Sequence, residues 1–305
     1  MESRRLPRFK RAPTVAAVQL TERDRAIIRL VHRHHFLRSS HIVSLIGGSP
    51  QHVLRRLQLL YHQGFLDRPR IQIEYYHQGG SRQIVYGLGS KGASLLKHEP
   101  GANLRYFQAG GKNDPPHRFF FEHALLVSDI MVALELACGK VEGIRLLAGD
   151  ELPLPGGVRL KLKWKVKLNN RVLLGIIPDR VFALVSGKES PDINPTFFFL
   201  EADRGTMPVV RKNLAQTSFY RKLLAYETTW ARGLHRSQFG FHRFRVLTVT
   251  TSAARVESLV QACSQLKSGH GLFLFCDQAT LQKHGNILTV PWKIGRQGET
   301  TSILG

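Results

Sequence analysis

The sequence is poor in cysteine, in acidic residues and in long apolar runs. Its three cysteines are far apart and form no Cys-x-x-Cys pair, which argues against a cysteine zinc site or a disulfide framework and fits a reducing compartment. No run of about 18 apolar residues is present to span a bilayer. The basic residues at positions 4–11 precede no apolar signal core. We therefore expect a cytoplasmic protein, associated with nucleoid or plasmid, that has no membrane partner.

Positive charge is what the chain has in excess. Its 305 residues carry 44 Lys and Arg against 22 Asp and Glu, a net charge of +22. The first 112 residues hold 19 of these bases against 6 acids, and most of the bases there are arginine. An apolar fraction of 43% still allows a globular core. Such a charge predicts a polyanionic partner, and we expect double-stranded DNA.

The first third of the chain predicts three helices followed by a hairpin. A first helix starts after Thr21, with Asp24 completing a capping box; a second ends at Gly47, and a third starts at Pro50 and ends at Gly64. The hairpin joins residues 65–75 to residues 83–88. This order is typical of a winged helix-turn-helix domain whose third helix enters the major groove of DNA.

The third helix has a polar outer face, to which the sequence also assigns His62. That face favours DNA binding over a purely structural or protein-docking role. Basic residues flank the hairpin. The candidate DNA-binding residues are Gln51, His52, Arg55, Arg56, Arg68, Arg70 and Arg82.

Changes in composition divide the chain into five segments. Residues 1–19 form a basic flexible arm, for which phosphate contact and mere solubilisation both remain open. Residues 20–98 are the predicted winged helix-turn-helix domain, and the Gly- and Pro-rich residues 99–117 are a linker. Residues 118–290 alternate helices and strands and predict an α/β (α+β) domain with a mixed sheet. Among these elements are a helix over residues 208–226 and a buried strand over residues 244–250. Residues 291–305 are left as a tail.

Two β-prone runs of the second domain carry acids. Side chains two residues apart share a strand face, so Glu201 and Asp203 point the same way. Asp179 joins them if the two runs pair as neighbouring strands. Three convergent carboxylates in an apolar sheet predict a divalent-metal site, with Mg²⁺ as the expected ion.

Two resemblances rest on these motifs. Pro178-Asp179 at one strand and Glu201-Ala-Asp203 in the next resemble the restriction-endonuclease-like PD-(D/E)xK core, in which the acids hold Mg²⁺ and a lysine polarises the attacking water. Here Asp203 stands at the usual lysine position, and Lys212 is the candidate for the missing cation. The strings IPD at 177–179, FLEADRGT at 199–206 and YRKLLAY at 220–226, with the predicted winged helix, resemble the replication-relaxation family of plasmid and mobile-element proteins.

The resemblance implies a DNA-binding protein of a bacterial plasmid or mobile element that acts in replication, mobilisation or its regulation. Two alternatives remain open for the second domain. In one, the nuclease-like fold is a binding or regulatory scaffold whose acids pair with nearby bases. In the other, it is a Mg²⁺-dependent endonuclease with Asp179, Glu201, Asp203 and Lys212 as catalytic residues. A homodimer, and partners among replication or mobilisation proteins, are also left open.

Overall fold

The computed structural model describes residues 8–13, 19–73, 83–98, 118–154, 163–168, 172–187 and 195–305. By its internal contacts the chain divides into two compact units, Met1–Val132 (unit 1) and Ala133–Gly305 (unit 2). The fold is of the mixed α/β class that the sequence predicts, with helices and a seven-stranded mixed sheet. Among the described residues, no helix is long and apolar enough to cross a membrane. The predicted linker lies outside the described ranges, so the predicted domain limits stay a prediction.

Unit 1 is largely helical. Its helices include α1 (Glu22–His34), α2 (Ser39–Ile46), α3 (Pro50–Gln63) and α4 (Ser90–Lys97). The side chain of Thr21 accepts a hydrogen bond from the N–H of Asp24, and Asp24 accepts one from the N–H of Thr21. This reciprocal cap satisfies donors that the first turn of α1 leaves free. Gly64 ends α3 in a left-handed conformation, with φ of +86°, that favours glycine.

A small antiparallel sheet accompanies these helices. Its strands are β1 (Phe36–Arg38), β2 (Leu66–Asp67) and β3 (Val85–Leu88), in the order β1-β3-β2. The apolar faces of the helices are fully buried, as at Ile27, Val31, Ile42, Leu57 and Leu60. Most of the predicted hairpin loop between β2 and β3, residues 74–82, lies outside the described residues.

The division between the units falls within α5 (Arg118–Cys138). Near the start of this helix, Phe121 packs edge to face on Phe36, with ring centroids 5.2 Å apart. Further along, Asp129 accepts hydrogen bonds of 2.9 and 3.0 Å from Arg38. The first part of α5 therefore packs with unit 1, although the sequence assigns the whole helix to the second domain.

Unit 2 is built on β-strands. They are β4 (Ile144–Ala148), β5 (Trp164–Lys167), β6 (Leu173–Ile176), β7 (Arg180–Ser186), β8 (Thr196–Ala202), β9 (Phe244–Thr250), β10 (Phe273–Asp277), β11 (Trp292–Ile294) and β12 (Thr300–Thr301). Seven of them form one sheet in the order β12-β11-β10-β9-β8-β7-β4, and β5 and β6 form a separate ribbon. β4, β7 and β8 are antiparallel neighbours, whereas β8, β9 and β10 run parallel. Parallel neighbours need a crossover connection, which helices supply here.

Helices cover one face of this sheet. The helices of unit 2 include α6 (Phe219–Ala231), α7 (Leu234–Phe239), α8 (Ala253–Cys263) and α9 (Gln278–His284). On β8, Phe197 and Phe199 are buried in one cluster with Leu223 of α6 and Leu259 of α8. Because strand side chains alternate between faces, the next residue on this face of β8 is Glu201.

The C-terminal residues complete the sheet. The sequence leaves residues 291–305 as a tail, but β11 and β12 extend the sheet beyond β10, with Trp292 fully buried and Ile303 nearly so. Pro291 and two nearby glycines break the apolar pattern, so the strand signal there is short.

Candidate functional site

Glu201 is a buried carboxylate near the end of β8, with only 1% of its surface exposed. Nζ of Lys222 lies 2.5 Å from Oε2 of Glu201, and the hydroxyl of Tyr226 donates a hydrogen bond of 2.6 Å to Oε1. Lys222 and Tyr226 are four residues apart on α6, so one face of this helix supplies both donors.

Asp179 lies beside Glu201 because β7 and β8 pair. The backbone N–H of Asp179 donates to the carbonyl of Leu200 at 3.0 Å, and its Oδ2 accepts a hydrogen bond of 2.7 Å from the N–H of Ala202. Its charge acts on both Glu201 and Lys222. Two carboxylates and one ammonium group therefore converge where β7 begins and β8 ends.

The electrostatic surroundings of Lys222 favour its positively charged form. Burial is the largest influence on Glu201 and raises its pKa; Lys222 lowers that pKa and Asp179 raises it. Burial would lower the pKa of Lys222, but the carboxylates of Glu201 and Asp179 outweigh burial and raise it. Burial also raises the pKa of Tyr226 well above 10. Lys222 is thus a fixed positive charge rather than a proton acceptor, and Tyr226 stays a neutral hydrogen-bond donor.

Asp203 belongs to a neighbouring but different cluster. Arg255 of α8 donates to both of its oxygens, from Nε to Oδ2 at 2.9 Å and from Nη2 to Oδ1 at 3.2 Å. The hydroxyl of Thr250 and the N–H of Gly205 complete its hydrogen bonds. Gly205 has a φ of +71°, which turns its N–H back towards the carboxylate. This carboxylate is therefore neutralised by an arginine.

The lysine at the carboxylates is Lys222, not Lys212. The sequence predicts a helix from Pro208, whereas α6 begins at Phe219 behind the capping residue Ser218. Lys212 consequently lies exposed in the preceding segment. The signal for Lys222 was present in the string YRKLLAY, where it stands four residues before Tyr226 on one helix face.

The three predicted metal ligands are thus divided between two clusters. Among the residues that the structure describes, no group of three or more His, Cys, Asp or Glu side chains is arranged to hold a metal ion. Asp179 and Glu201 remain as a pair of oxygen donors, the ligand type that Mg²⁺ takes from one or two carboxylates together with waters and substrate phosphates. A Mg²⁺ site at this pair stays a prediction.

In unit 1, the predicted DNA-binding residues of α3 have different surroundings. Gln51, His52 and Arg55 are exposed. Arg56 instead forms an ion pair with Asp24, whose side chain is fully buried. His62 is also buried, which corrects its assignment to the exposed face; its Nδ1 accepts a hydrogen bond from the N–H of Ala12 at 3.1 Å.

The predicted hairpin arginines also include both exposed and buried side chains. Arg70 is exposed, and Arg82 lies outside the described residues. Arg68 is only 4% exposed: its guanidinium carbon lies 4.2 Å from the ring centroid of Tyr61, and its Nη2 donates to the hydroxyl of Tyr86 at 3.0 Å. Its Nη1 donates to the carbonyl of Arg8 at 2.5 Å. Arg68 therefore holds the N-terminal segment against the fold.

The chain is thus a mixed α/β protein with a strongly basic helical unit and a second unit that carries a carboxylate and lysine cluster. It matches the family described as replication-relaxation over residues 28–242, which is more than half of its length, and it belongs to that family. Membership indicates a role in the replication or mobilisation of plasmids or other mobile elements. No curated protein and no solved structure matches the chain.

Proposed function

We propose that the chain is a DNA-binding protein of a plasmid or mobile element, and that unit 1 binds duplex DNA as a winged helix-turn-helix domain. The observation that carries this proposal is the exposed polar face of α3. Gln51, His52 and Arg55 are exposed on that helix, whereas Val53 and Leu57 are buried on its opposite side. Leu54 is also exposed, at 45%, beside these polar residues. A helix that is anchored on one side and exposes Gln51, His52 and Arg55 suits entry into the major groove.

The arrangement of the small sheet supports the same proposal. β1 follows α1 and pairs with β3, which in turn pairs with β2 after α3. Three helices joined to a small antiparallel sheet are the elements of a winged helix-turn-helix domain. The excess of bases over acids in the first 112 residues adds attraction to phosphates.

The structure reduces the set of residues that we propose for the interface. Arg56 forms an ion pair with Asp24, and Arg68 lies over two tyrosine rings. We therefore assign both arginines to the stability of unit 1. Gln51, His52, Arg55 and Arg70 are retained because each is exposed.

Binding of the full chain to duplexes selected from a random library tests this proposal. If Arg55 reads a base edge, Arg55→Ala weakens binding to the selected site by about 1–3 kcal/mol. Arg55→Lys keeps the charge but loses the bidentate geometry, so it also loses sequence preference. Lys97→Ala, on an exposed position of α4, is the control and leaves the preference unchanged. A wild-type chain that shows no salt-sensitive duplex binding overturns the proposal.

A second candidate function is Mg²⁺-dependent endonuclease activity, favoured by the position of Lys222 on Glu201 and beside Asp179. In this candidate, Asp179 and Glu201 would hold the ion, which supplies Lewis-acid assistance to phosphodiester hydrolysis. Lys222 would place a permanent positive charge next to the carboxylates, where negative charge develops on the phosphate. Asp203 is left out of this set because the guanidinium of Arg255 bonds both of its oxygens. Both oxygens of Glu201 also accept hydrogen bonds, from Lys222 and Tyr226, so an ion at Glu201 would have to share or displace these donors.

Cleavage of supercoiled plasmid by the full chain with Mg²⁺ or Mn²⁺ decides between enzyme and scaffold. The endonuclease candidate expects cleavage that is lost in Asp179→Asn and Lys222→Met, while duplex binding persists. Lys212→Met distinguishes the two lysines: Lys212 is exposed in the loop before α6, and this variant is expected to retain cleavage. No cleavage by the wild type with either metal would leave the carboxylate and lysine cluster as part of a binding or regulatory scaffold.

A further inference from the structure

One face of the ribbon formed by β5 and β6 packs on the core of unit 2. Trp164 and Val166 are buried. Nε1 of Trp164 donates a hydrogen bond of 3.0 Å to the hydroxyl of Thr229 on α6, and its ring lies 5.1 Å from that of Phe199, centroid to centroid. The inner face of the ribbon is therefore held by the core and by the helix that carries Lys222.

The opposite face of the ribbon is exposed and basic. Lys163, Lys165 and Lys167 alternate with the buried residues and are all exposed. Alternate residues of a strand lie roughly 7 Å apart on one face. Across the ribbon, Lys165 pairs with Gly175, and a Cβ atom built there would meet nothing within 4 Å. Gly175 thus leaves the middle of this face open, whereas Leu173, which pairs with Lys167, is an exposed apolar side chain at its far end.

One end of this exposed face is close to Asp179 along the chain. Trp164 pairs with Ile176, the last residue of β6, and Asp179 follows only three residues later. Lys163 precedes Trp164, so it stands at the end of the ribbon nearest Asp179. The row of lysines leads away from the candidate site along the ribbon.

We propose that Lys163, Lys165 and Lys167 form a second DNA-contact surface, which binds the phosphate backbone and guides it towards Asp179 and Lys222. The inference rests on the proposed DNA-binding function and adds a site in unit 2. Lysine is a compact point charge without the rigid fork of arginine, so the row suits contacts to phosphates rather than readout of bases. The sequence continues the alternation of basic and apolar residues upstream, at Arg159 and Lys161.

The salt dependence of binding tests this surface. In the full chain, the triple variant Lys163→Gln, Lys165→Gln, Lys167→Gln is compared with the wild type on duplex DNA of random sequence. Each lost phosphate contact lowers the slope of log K against log salt by about 0.9, so we expect a drop of roughly 2–3. Tryptophan fluorescence, to which the buried Trp164 of the ribbon contributes with Trp230 and Trp292, checks that unit 2 stays folded.

A matched control removes the same charge elsewhere in unit 2. Lys140, Lys267 and Lys283 are exposed and lie outside the ribbon, so their triple change to Gln keeps a slope close to that of the wild type. Equal slopes for the two triple variants overturn the inference while the DNA-binding proposal stands. If the wild-type chain does not bind duplex DNA, both this inference and the DNA-binding proposal are overturned. A ribbon effect with duplex RNA but not with duplex DNA overturns the assignment of DNA as the ligand.

Discussion

Arg255 and Asp203, 52 residues apart in the chain, form a two-point ion pair between α8 and the segment that follows β8. Nη2 of Arg255 also donates to the carbonyl of Met207 at 2.6 Å, so a single guanidinium fixes the residues after β8. Only 4% of the Asp203 side chain is exposed, so its carboxylate takes its hydrogen bonds from protein groups rather than from water. The sequence predicts a metal ligand at this position, and the structure places there a carboxylate paired with an arginine.

We expect Arg255→Met to lower the free energy of unfolding of unit 2 by roughly 3–5 kcal/mol, because it leaves a buried carboxylate unpaired. The control is Lys293→Met. It removes the exposed partner of Glu257, which lies on the same helix as Arg255, and should cost at most about 1 kcal/mol. All three tryptophans, Trp164, Trp230 and Trp292, lie in unit 2, so their fluorescence during denaturant unfolding follows this unit alone. Equal costs for the two variants contradict a structural role for the pair.

The second prediction separates two arginines that the sequence treats alike. Arg68→Gln removes a guanidinium that stacks on two tyrosines, and we expect a loss of roughly 2–4 kcal/mol in the stability of unit 1. Hydrogen exchange of residues 8–13 should become faster because their contact with Arg68 is lost. Arg70→Gln should leave exchange unchanged and reduce the salt slope of DNA binding by about 1. The opposite pattern would show that Arg68 is the DNA contact.

The sequence predicts those elements whose signals are local. The capping box at Thr21 and Asp24 places the start of α1, and the apolar run at Phe244–Thr250 is β9 as predicted. The mixed α/β class and the family are confirmed. The winged helix-turn-helix domain and the nuclease-like site stay predictions.

What the sequence misplaces depends on contacts between distant residues. Helical periodicity continues upstream of Phe219, but the N–H of Phe219 bonds to the carbonyl of Pro208, so the preceding residues form a loop. That single boundary decides whether Lys212 or Lys222 faces Glu201. The burial of Arg68 likewise depends on two tyrosines and on the N-terminal segment, none of which a local pattern reveals.

The third prediction concerns acid stability. Burial would raise the pKa of Asp24, but its bonds to Arg56 and Thr21 outweigh burial and lower the pKa below the ordinary 3.8. Because the pKa of Asp24 is lower in the folded state, its ionised carboxylate stabilises the fold at pH values above 3.8. This contribution is lost as pH falls through the folded pKa. Calorimetric unfolding between pH 2 and 6 should therefore show a steeper acid loss in the wild type than in Asp24→Asn. Glu22→Gln, an exposed change on the same helix, should follow the wild type.

The last prediction concerns the hydroxyl that Tyr226 directs at Glu201. Tyr226→Phe leaves Oε1 of Glu201 buried without its donor, which should cost about 1–3 kcal/mol near neutral pH. Because the folded pKa of Tyr226 is raised above 10, its contribution is complete below pH 10 and is lost as pH rises through the folded pKa. The stability difference between wild type and variant, followed by tryptophan fluorescence, should therefore shrink in strong alkali. Tyr220→Phe, on the same helix with a weak bond of 3.5 Å to Gln265, is the control and should cost little. A Tyr226→Phe cost no greater than that of Tyr220→Phe would mean that Glu201 does not depend on this hydroxyl.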